Sequence, residues 1–200
     1  MIVNMLLEGH LEEPVALKLI RHCGHVPGTV YGKKGCSFVQ RKAKGYVYLA
    51  RGDRGMLVLT DFMDTDCACP PQALRRYMPA RREPLPAAFL FRFAVNELES
   101  WLMADREALS YFLRIAMARI PEHPEEEADP KRSMVNLARL TRNHRLRRAL
   151  VPTSSHGGAT GPGYTSVMSD FVAAHWSPER AGKNAPSLAR CLERLRELPA

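Results

Sequence analysis

The sequence contains no long hydrophobic run: none of its apolar stretches reaches the roughly eighteen residues that a transmembrane helix needs. Its N-terminus lacks a basic segment followed by an apolar stretch and a small-residue cleavage site, so we expect no signal peptide. The five cysteines are odd in number and irregularly spaced, which is typical of reduced thiols rather than of a disulfide framework. We therefore expect a cytoplasmic protein that does not enter a membrane.

Motifs for several cofactors are also missing. The glycine-rich stretch "HGGATGPG", residues 156–163, lacks the Gly-Lys-Ser/Thr ending of a P-loop and follows no predicted strand, so we interpret it as a lid or a phosphate-contacting loop. "HCGH" at 22–25 is accompanied by no paired C-x-x-C knuckle, which disfavours zinc. Aromatic residues make up only 8% of the chain and do not alternate with basic residues, which gives little support to stacking on single-stranded bases.

Positive charge is in excess. The chain has 29 Lys and Arg against 21 Asp and Glu, a formal net charge of +8, which favours a polyanionic partner such as nucleic acid (DNA or RNA) or a phosphorylated small molecule. Lys33 and Lys34 lie between glycines in a predicted turn, and Arg145 and Arg148 share one side of a predicted helix. We predict that these four residues contact phosphates with little sequence readout, although a solvated basic surface explains them almost equally well.

The apolar pattern predicts an α/β fold. With 46% hydrophobic residues in 200, the chain can bury a sizeable core. Strand-length apolar runs at 1–7, 56–60 and 87–95 alternate with helical patterns, which indicates a mostly parallel central sheet flanked by helices. We predict turns at 24–35 and helices at 12–22, 37–50, 72–78, 96–117 with a restart at Asp105, 131–150, 164–175 and 187–198. Residues 1–95 would form the α/β core, and residues 96–200 a helical extension packed on it in one compact unit.

Acidic residues follow two of the predicted strands. Glu8 and Asp61 each come one residue after an apolar run, and Asp64 and Asp66 lie just beyond. Because the carboxyl ends of parallel strands meet at one edge of a sheet, where ligands bind, we expect these carboxylates to converge there. Gly9 would allow a tight turn and a close approach of a phosphate or metal. Several carboxylates without a histidine suit Mg²⁺ or Mn²⁺.

Glu97 and Glu99 form a further acidic pair after the third predicted strand. In a regular helix they point about 200° apart, so we do not expect both to bind one ion. Glu97 could still reach the edge where Glu8 lies, and we retain it as a candidate metal ligand. The alternative interpretation is a pair of acids that stabilise a helix N-terminus.

The strand-"EG"-helix pattern at Glu8, followed by strand-"DFMDTD" from Asp61, resembles the Toprim domain of topoisomerases, primases and overcoming-lysogenization-defect nucleases. The chain is more similar still to domain-of-unknown-function family 4276, a Toprim-like group, over nearly its whole length. The motifs that carry this similarity are "FRFAVNELESWLMAD" from 91, "DPKR" from 129, "GPGY" from 161 and "WSPERAGKNAPSL" from 176.

The resemblance implies a Toprim-like fold, with Glu8 as general acid or base and Asp61 as a metal ligand. The family's Asp-x-Asp pattern is broken by Met63, so either Asp64 replaces the missing ligand or the site has lost full competence. It also implies a metal-dependent, nuclease-like enzyme in a bacterial defence or conflict system, working with a separate ATPase. Two alternatives stay open: a degenerate Toprim-like subunit that binds a partner ATPase, and an enzyme acting on small phosphorylated molecules.

Overall fold

The computed structural model describes residues 1–78, 84–153 and 157–198. The chain divides into two compact units, which are described separately. The first comprises Met1–Val95 and Arg190–Ala200, and the second comprises Asn96–Ala189. The segment from Arg190 thus groups with the first unit. The predicted boundary at residue 95 and the expected packing into one compact unit stay predictions. In the described ranges, no helix has the combination of length and apolarity needed to cross a bilayer.

The first unit contains a four-stranded, all-parallel sheet within the described residues. Its strands are β1 (Ile2–Leu7), β2 (Val26–Gly32), β3 (Arg54–Asp61) and β4 (Phe89–Ala94), in the order β2-β1-β3-β4. The helices of this unit are α1 (Glu12–His22), α2 (Cys36–Lys42) and α3 (Pro70–Tyr77), with 3₁₀ turns at Ala43–Leu49 and Met63–Thr65. The predicted α/β class, with a parallel sheet flanked by helices, is confirmed and is consistent with a Toprim-like fold.

Strand β2 was not predicted: we expected turns at 24–35. Pro27 and Gly28 interrupt the apolar pattern of this segment. Among the described residues β2 is an edge strand that pairs only with β1, so its side chains need not form an apolar run. The pairing register shifts between Val3 and Met5, and there the Thr29 N–H donates to the buried Asn4 Oδ1 at 2.9 Å. The Asn4 side chain thus takes over a hydrogen bond that the irregular ladder would otherwise lose.

One face of the sheet carries an aromatic-rich core. Leu6, Val58, Phe91 and Phe93 pack there with residues of α2 and the following 3₁₀ turn. The Tyr77 ring stands edge-on to both phenylalanines, with ring centroids 5.5 and 5.8 Å apart. The sequence predicted one helix over 37–50, whereas the α-helix ends at Lys42 and continues as a 3₁₀ turn.

The second unit contains helices joined by loops, and no strand among the described residues. Its helices are α4 (Leu98–Ala104), α5 (Arg106–Leu113), α6 (Pro130–Leu140), α7 (His144–Leu150), α8 (Tyr164–Ala174) and α9 (Pro178–Gly182), with the start of α10 (Pro186–Arg196). The predicted restart at Asp105 is confirmed, since its carboxylate accepts the Ala108 N–H and caps α5. The single helix predicted at 131–150 is instead two, because Asn143 caps a new helix by accepting the Arg145 and Leu146 N–H groups.

Candidate functional site

The end of β1 lies directly beside the end of β3. Leu7 pairs with Leu59 in parallel register, which brings the next residue, Glu8, next to Thr60. The Thr60 hydroxyl donates a hydrogen bond to Glu8 Oε2, and the Asp61 N–H donates to the same oxygen at 3.2 Å. Two donors from β3 therefore hold the Glu8 carboxyl group at the carboxyl edge of the sheet.

Asp61 lies at the same edge, but its side chain points away from Glu8. Side chains alternate between the faces of a strand, so Asp61 faces opposite to Thr60, which contacts Glu8. The next residue, Phe62, is back on the Glu8 face, where its ring packs 6.1 Å from that of Phe93. Glu8 and Asp61 therefore lie at the ends of adjacent strands, as the sequence predicted. Their carboxylates are on opposite faces of the sheet, because side chains alternate along a strand.

Cys36 reaches Glu8 through the loop that follows β2. The Lys33 N–H donates to the Leu7 carbonyl at 2.7 Å, and the Gly35 N–H donates to the Glu8 carbonyl at 3.0 Å. Gly32 permits this approach, because its φ is +92° and a Cβ there would lie 2.2 Å from the Leu7 carbonyl oxygen. The loop therefore fixes the start of α2, and with it Cys36, above the end of β1.

Three potential metal ligands meet at this point. One ligand atom from each of Glu8, Cys36 and Asp64 lies within 4.8 Å of the other two; we call this group the Glu8 cluster. Asp64 belongs to the 3₁₀ turn that follows β3, and its side chain is exposed. The sequence indicated Glu8 and Asp64 but not Cys36, whose irregular spacing gave no signal. Only the pairing of the 33–35 loop with β1 brings the thiol to the cluster.

Burial dominates the electrostatics of Glu8. Desolvation raises the pKa of this carboxyl above its ordinary value, although the hydrogen bonds from Thr60 and Asp61 oppose the shift. The Asp64 carboxylate raises the pKa further, through its charge and through a hydrogen bond between the two side chains. Tyr77 lies within the same field: burial, then the charges of Cys36, Glu8 and Asp64, raise its pKa to about 12. Nothing in the sequence pattern connects Tyr77 with this site.

The remaining predicted residues of the first unit have other surroundings. Asp66 is exposed in a left-handed conformation, with φ of +49°, and is not in the Glu8 cluster. Lys33 forms an ion pair with Glu13, so part of its charge is already neutralised. Lys34 lies 5.4 Å from the centroid of the Phe38 ring.

Gly9 lies in the bend that joins β1 to α1. Its φ is not in the left-handed region, and a Cβ there would lie 2.9 Å from a carboxylate oxygen of Glu12. The missing side chain thus makes room for Glu12 at the start of α1. The chain bends at residues 8–11, and the close approach of a phosphate or metal that we expected at Gly9 stays a prediction.

Glu97 and Glu99 both reach Lys131 in the second unit. The Lys131 N–H donates to Glu97 Oε2 at 2.8 Å, and its ammonium lies 2.9 Å from Glu97 Oε1 and 3.8 Å from Glu99 Oε1. Our argument that the two acids point about 200° apart was wrong, because Glu97 is the N-cap of α4 and has an extended backbone. Their joint partner within this unit is an ammonium group. The assignment of Glu97 as a metal ligand stays a prediction.

Glu99 is the most deeply buried acid of this group. Burial raises its pKa above the ordinary value, and the Lys131 charge opposes that shift. The Tyr164 hydroxyl donates to Glu99 Oε1 at 3.2 Å, and burial followed by the Glu99 charge raises the pKa of Tyr164 well above its usual range. The "DPKR" and "GPGY" motifs thus supply the cation and the hydroxyl that accompany Glu99.

The closing "WSPERAGKNAPSL" segment contacts the end of α4 in the same unit. Arg180 donates two hydrogen bonds to the Asp105 carboxylate, at 2.8 and 2.9 Å, and the Ser177 N–H adds a third at 2.6 Å. The Trp176 indole N–H donates to the Trp101 carbonyl at 2.9 Å. Several motif residues in the helical half therefore stabilise that unit.

Arg145 and Arg148, the predicted phosphate contacts on α7, line an open cleft of about 580 Å³ together with His144 and the Pro162-Gly163 turn. This cleft includes the described end of the glycine-rich loop; residues 154–156 lie outside the described residues. Of the four predicted phosphate contacts, these two are the ones that share a concave surface.

The chain was compared with family models, curated proteins and solved structures, and none of them matches it. The Toprim-like resemblance therefore stays a prediction that rests on the motifs.

Proposed function

We propose that this chain is a Mg²⁺- or Mn²⁺-dependent enzyme that hydrolyses phosphodiester bonds in nucleic acid, with its reaction centre at the Glu8 cluster. The observation that carries the proposal is the meeting of Glu8, Cys36 and Asp64 within 4.8 Å at the carboxyl edge of a parallel sheet, where such sheets bind ligands. A bacterial defence setting and a separate ATPase partner belong to the same proposal and rest on the resemblance.

Two of the three side chains in the Glu8 cluster are ligands that a hard divalent ion prefers. Glu8 and Asp64 offer carboxylate oxygens, and Mg²⁺ is commonly held by one or two carboxylates while it keeps several waters. The Cys36 thiol is a donor that Mg²⁺ does not favour. A comparison of Mg²⁺ with Mn²⁺, and of Cys36 with serine, therefore tests whether the thiol is a ligand.

Glu8 is arranged to transfer a proton. Thr60 and Asp61 bind one of its oxygens and fix the orientation of the carboxyl group. Because burial raises its pKa, Glu8 exchanges a proton closer to neutral pH than an exposed glutamate does, which suits a general base for an attacking water. A bound divalent ion would stabilise negative charge on the phosphate and lower the pKa of water.

The test is cleavage of plasmid DNA and of RNA with Mg²⁺ or Mn²⁺. We expect Glu8→Gln to reduce the rate by about 10²- to 10⁴-fold, the range for loss of a general base, and Asp64→Asn to reduce it strongly. Asp61→Asn should cost less, because its side chain faces away from Glu8, and Asp66→Asn is the matched acidic control. Equal cleavage by wild type and Glu8→Gln would identify a contaminating nuclease and reject the proposal.

The rate should also depend on pH. A base acts in its ionised form, so activity should rise with pH through the pKa of Glu8, which burial raises above the ordinary 4.5 and a bound divalent ion would lower. The residual activity of Glu8→Gln should lose this rise, because an amide does not titrate. An unchanged profile would show that Glu8 is not the titrating group.

A degenerate binding subunit that docks on an ATPase is the second candidate. It is favoured by the orientation of Asp61 away from Glu8 and by Met63, 43% exposed, at the position where the family pattern has an acid. Thermal unfolding with and without metal separates the two. An active site should be stabilised by Mg²⁺ or Mn²⁺ in the wild type but not in Glu8→Gln, whereas a degenerate site should show no metal-dependent shift.

A further inference from the structure

Helix α7 lies between two open clefts of the second unit. The basic cleft, of about 580 Å³, is the one lined by His144, Arg145 and Arg148 with the Pro162-Gly163 turn. The aromatic cleft, of about 560 Å³, is lined on the other flank by Tyr111, Phe112, Arg114, Asn143, Leu146 and His175. The same short helix thus borders a cationic surface and an aromatic one.

The basic cleft is fixed by backbone contacts. The Gly161 N–H donates to the Leu150 carbonyl at 2.9 Å, and the Gly163 N–H donates to the Ala149 carbonyl at 3.0 Å. A Cβ at Gly161 would lie 2.3 Å from the Ala149 carbonyl oxygen, so only glycine allows this approach. The turn is therefore held against the end of α7, and the cleft wall opposite the arginines has a defined position.

Among the residues that the structure describes, no acidic side chain pairs with the arginines of the basic cleft. Arg145 and Arg148 are exposed, and neither forms a salt bridge with any residue that the structure describes. The first turn of α8, which begins just after Gly163, contains no acidic residue. Arginine binds phosphate through a planar fork of N–H donors, so the cleft suits a phosphate group.

In the aromatic cleft, one exposed aromatic ring packs beside other rings that are held in place by the core. Tyr111 is 75% exposed, and its ring centroid lies 5.8 Å from that of His175. Below it, Phe112 packs 5.0 Å from the buried Phe171 and 5.5 Å from His175. Exposed rings on such a platform are the surfaces on which nucleic-acid bases stack.

The sequence pattern alone lends little support to base stacking, because aromatic and basic residues do not alternate along the chain. The fold changes that conclusion. Helices α5 and α8 supply the rings, α7 supplies the arginines, and the two sets meet at opposite flanks of α7. Residues some thirty positions apart in sequence thus border one helix.

We propose that the α7 surface binds single-stranded nucleic acid, with its phosphates in the basic cleft and a base stacked on Tyr111 in the aromatic cleft. A helix is roughly 10 Å wide with its side chains, so a strand of a few nucleotides reaches both flanks. Bases in a duplex are already paired and stacked, so a duplex engages the arginines alone. The inference rests on the proposed function in one respect, since it names the substrate class of that reaction; binding itself requires neither metal nor catalysis.

The experiment measures binding of a fluorescent single-stranded oligonucleotide, as DNA and as RNA, by anisotropy in EDTA with the Glu8→Gln protein. A duplex of the same length is the second ligand. We expect the single strand to bind more tightly, and Tyr111→Ala to weaken its binding by about 10-fold. Tyr111→Phe should bind like the parent protein because it keeps the ring. Equal affinity for strand and duplex, or no effect of Tyr111→Ala, would overturn the proposal.

The arginines are tested by salt dependence. Each phosphate contact on a single strand contributes about −0.7 to the slope of log affinity against log salt concentration. The Arg145→Gln/Arg148→Gln variant should flatten that slope by about 1 to 1.5 and lose affinity at low salt, whereas Arg132→Gln, an exposed control outside both clefts, should do neither. An unchanged slope would likewise reject the proposal. If the protein binds the single strand as expected but the wild type cleaves no nucleic acid, the proposed nuclease activity is rejected and the binding proposal is retained.

Discussion

Replacing Lys131 with methionine should destabilise the second unit in a pH-dependent manner. The ammonium lies 2.9 Å from Glu97 and 3.8 Å from Glu99, whose side chains are only 11% and 3% exposed. Methionine keeps an unbranched side chain but removes the charge. Two largely buried carboxylates then lose their shared cation.

The expected loss is about 2 kcal/mol at pH 8. Removing one partner of a buried ion pair costs roughly 3–5 kcal/mol, and we reduce this because water screens a lysine that is itself 36% exposed. With a urea slope of about 2 kcal/mol per molar, the unfolding midpoint should fall by about 1 M.

The pH dependence follows from Glu99. Burial raises its pKa above 4.5 and Lys131 opposes the shift, so Lys131→Met should raise that pKa further. Between 4.5 and the raised pKa, the folded state binds more protons than the unfolded state, so stability is present below this window and falls as pH rises through it. A protonated Glu99 has no charge to compensate. The variant should therefore lose much less stability near pH 4.5 than at pH 8.

Tryptophan fluorescence during urea unfolding reports on this unit, because both tryptophans of the chain, Trp101 and Trp176, are buried within it. Lys183→Met, at an exposed lysine of the same unit, is the control and should be nearly neutral. Adding Glu99→Gln to Lys131→Met should restore part of the stability at pH 8. An equal loss at both pH values would refute the electrostatic explanation.

Three further results are expected. Asp105→Asn should lower the melting temperature of the second unit, because it removes the hydrogen-bonded ion pair between Asp105 and Arg180. The expected loss of stability is about 2–3 kcal/mol, a value reduced because Arg180 is partly exposed. An unchanged melting temperature would contradict this. Gly32→Ala should destabilise the first unit in thermal circular dichroism, since a Cβ would lie 2.2 Å from a β1 carbonyl oxygen, whereas Gly45→Ala meets open space and should be tolerated. The Cys191 thiol is fully buried, which raises its pKa to about 12, so a thiol reagent should label it only on unfolding, and rapid labelling of the native protein would count against this packing.

Local patterns predicted much of the first unit. The apolar runs of β1, β3 and β4 are long enough to identify buried parallel strands, and α1 has the predicted bounds, Glu12–His22. These elements also placed Glu8 and Asp61 at one sheet edge, because both residues directly follow or end a strand. Strand order did not follow from the sequence, since parallel strands are joined by crossovers that carry no local signal of neighbourhood.

The features that the sequence missed depend on tertiary packing. β2 is an edge strand that contains Pro27, and Cys36 joins the Glu8 cluster only through the Gly35 hydrogen bond to β1. Lys131 is more than thirty residues from the acids that it pairs with. In each case the contact that matters joins residues far apart in the chain. Hydrophobic periodicity and secondary-structure propensity describe only neighbouring residues, so they do not predict such contacts.

The composition of β2 also bears on how the folded protein behaves at high concentration. The Val26 N–H donates to the Met1 carbonyl, so alternation turns position 27 towards the open side of the sheet. A proline there has no N–H to offer, and the register shift beside Asn4 further interrupts the row of backbone groups. An exposed edge strand can pair with a strand of another molecule, and such pairing leads to aggregation and fibril formation. Pro27 should hinder the pairing of β2 with a strand of another molecule. Replacing it with valine should therefore increase aggregation.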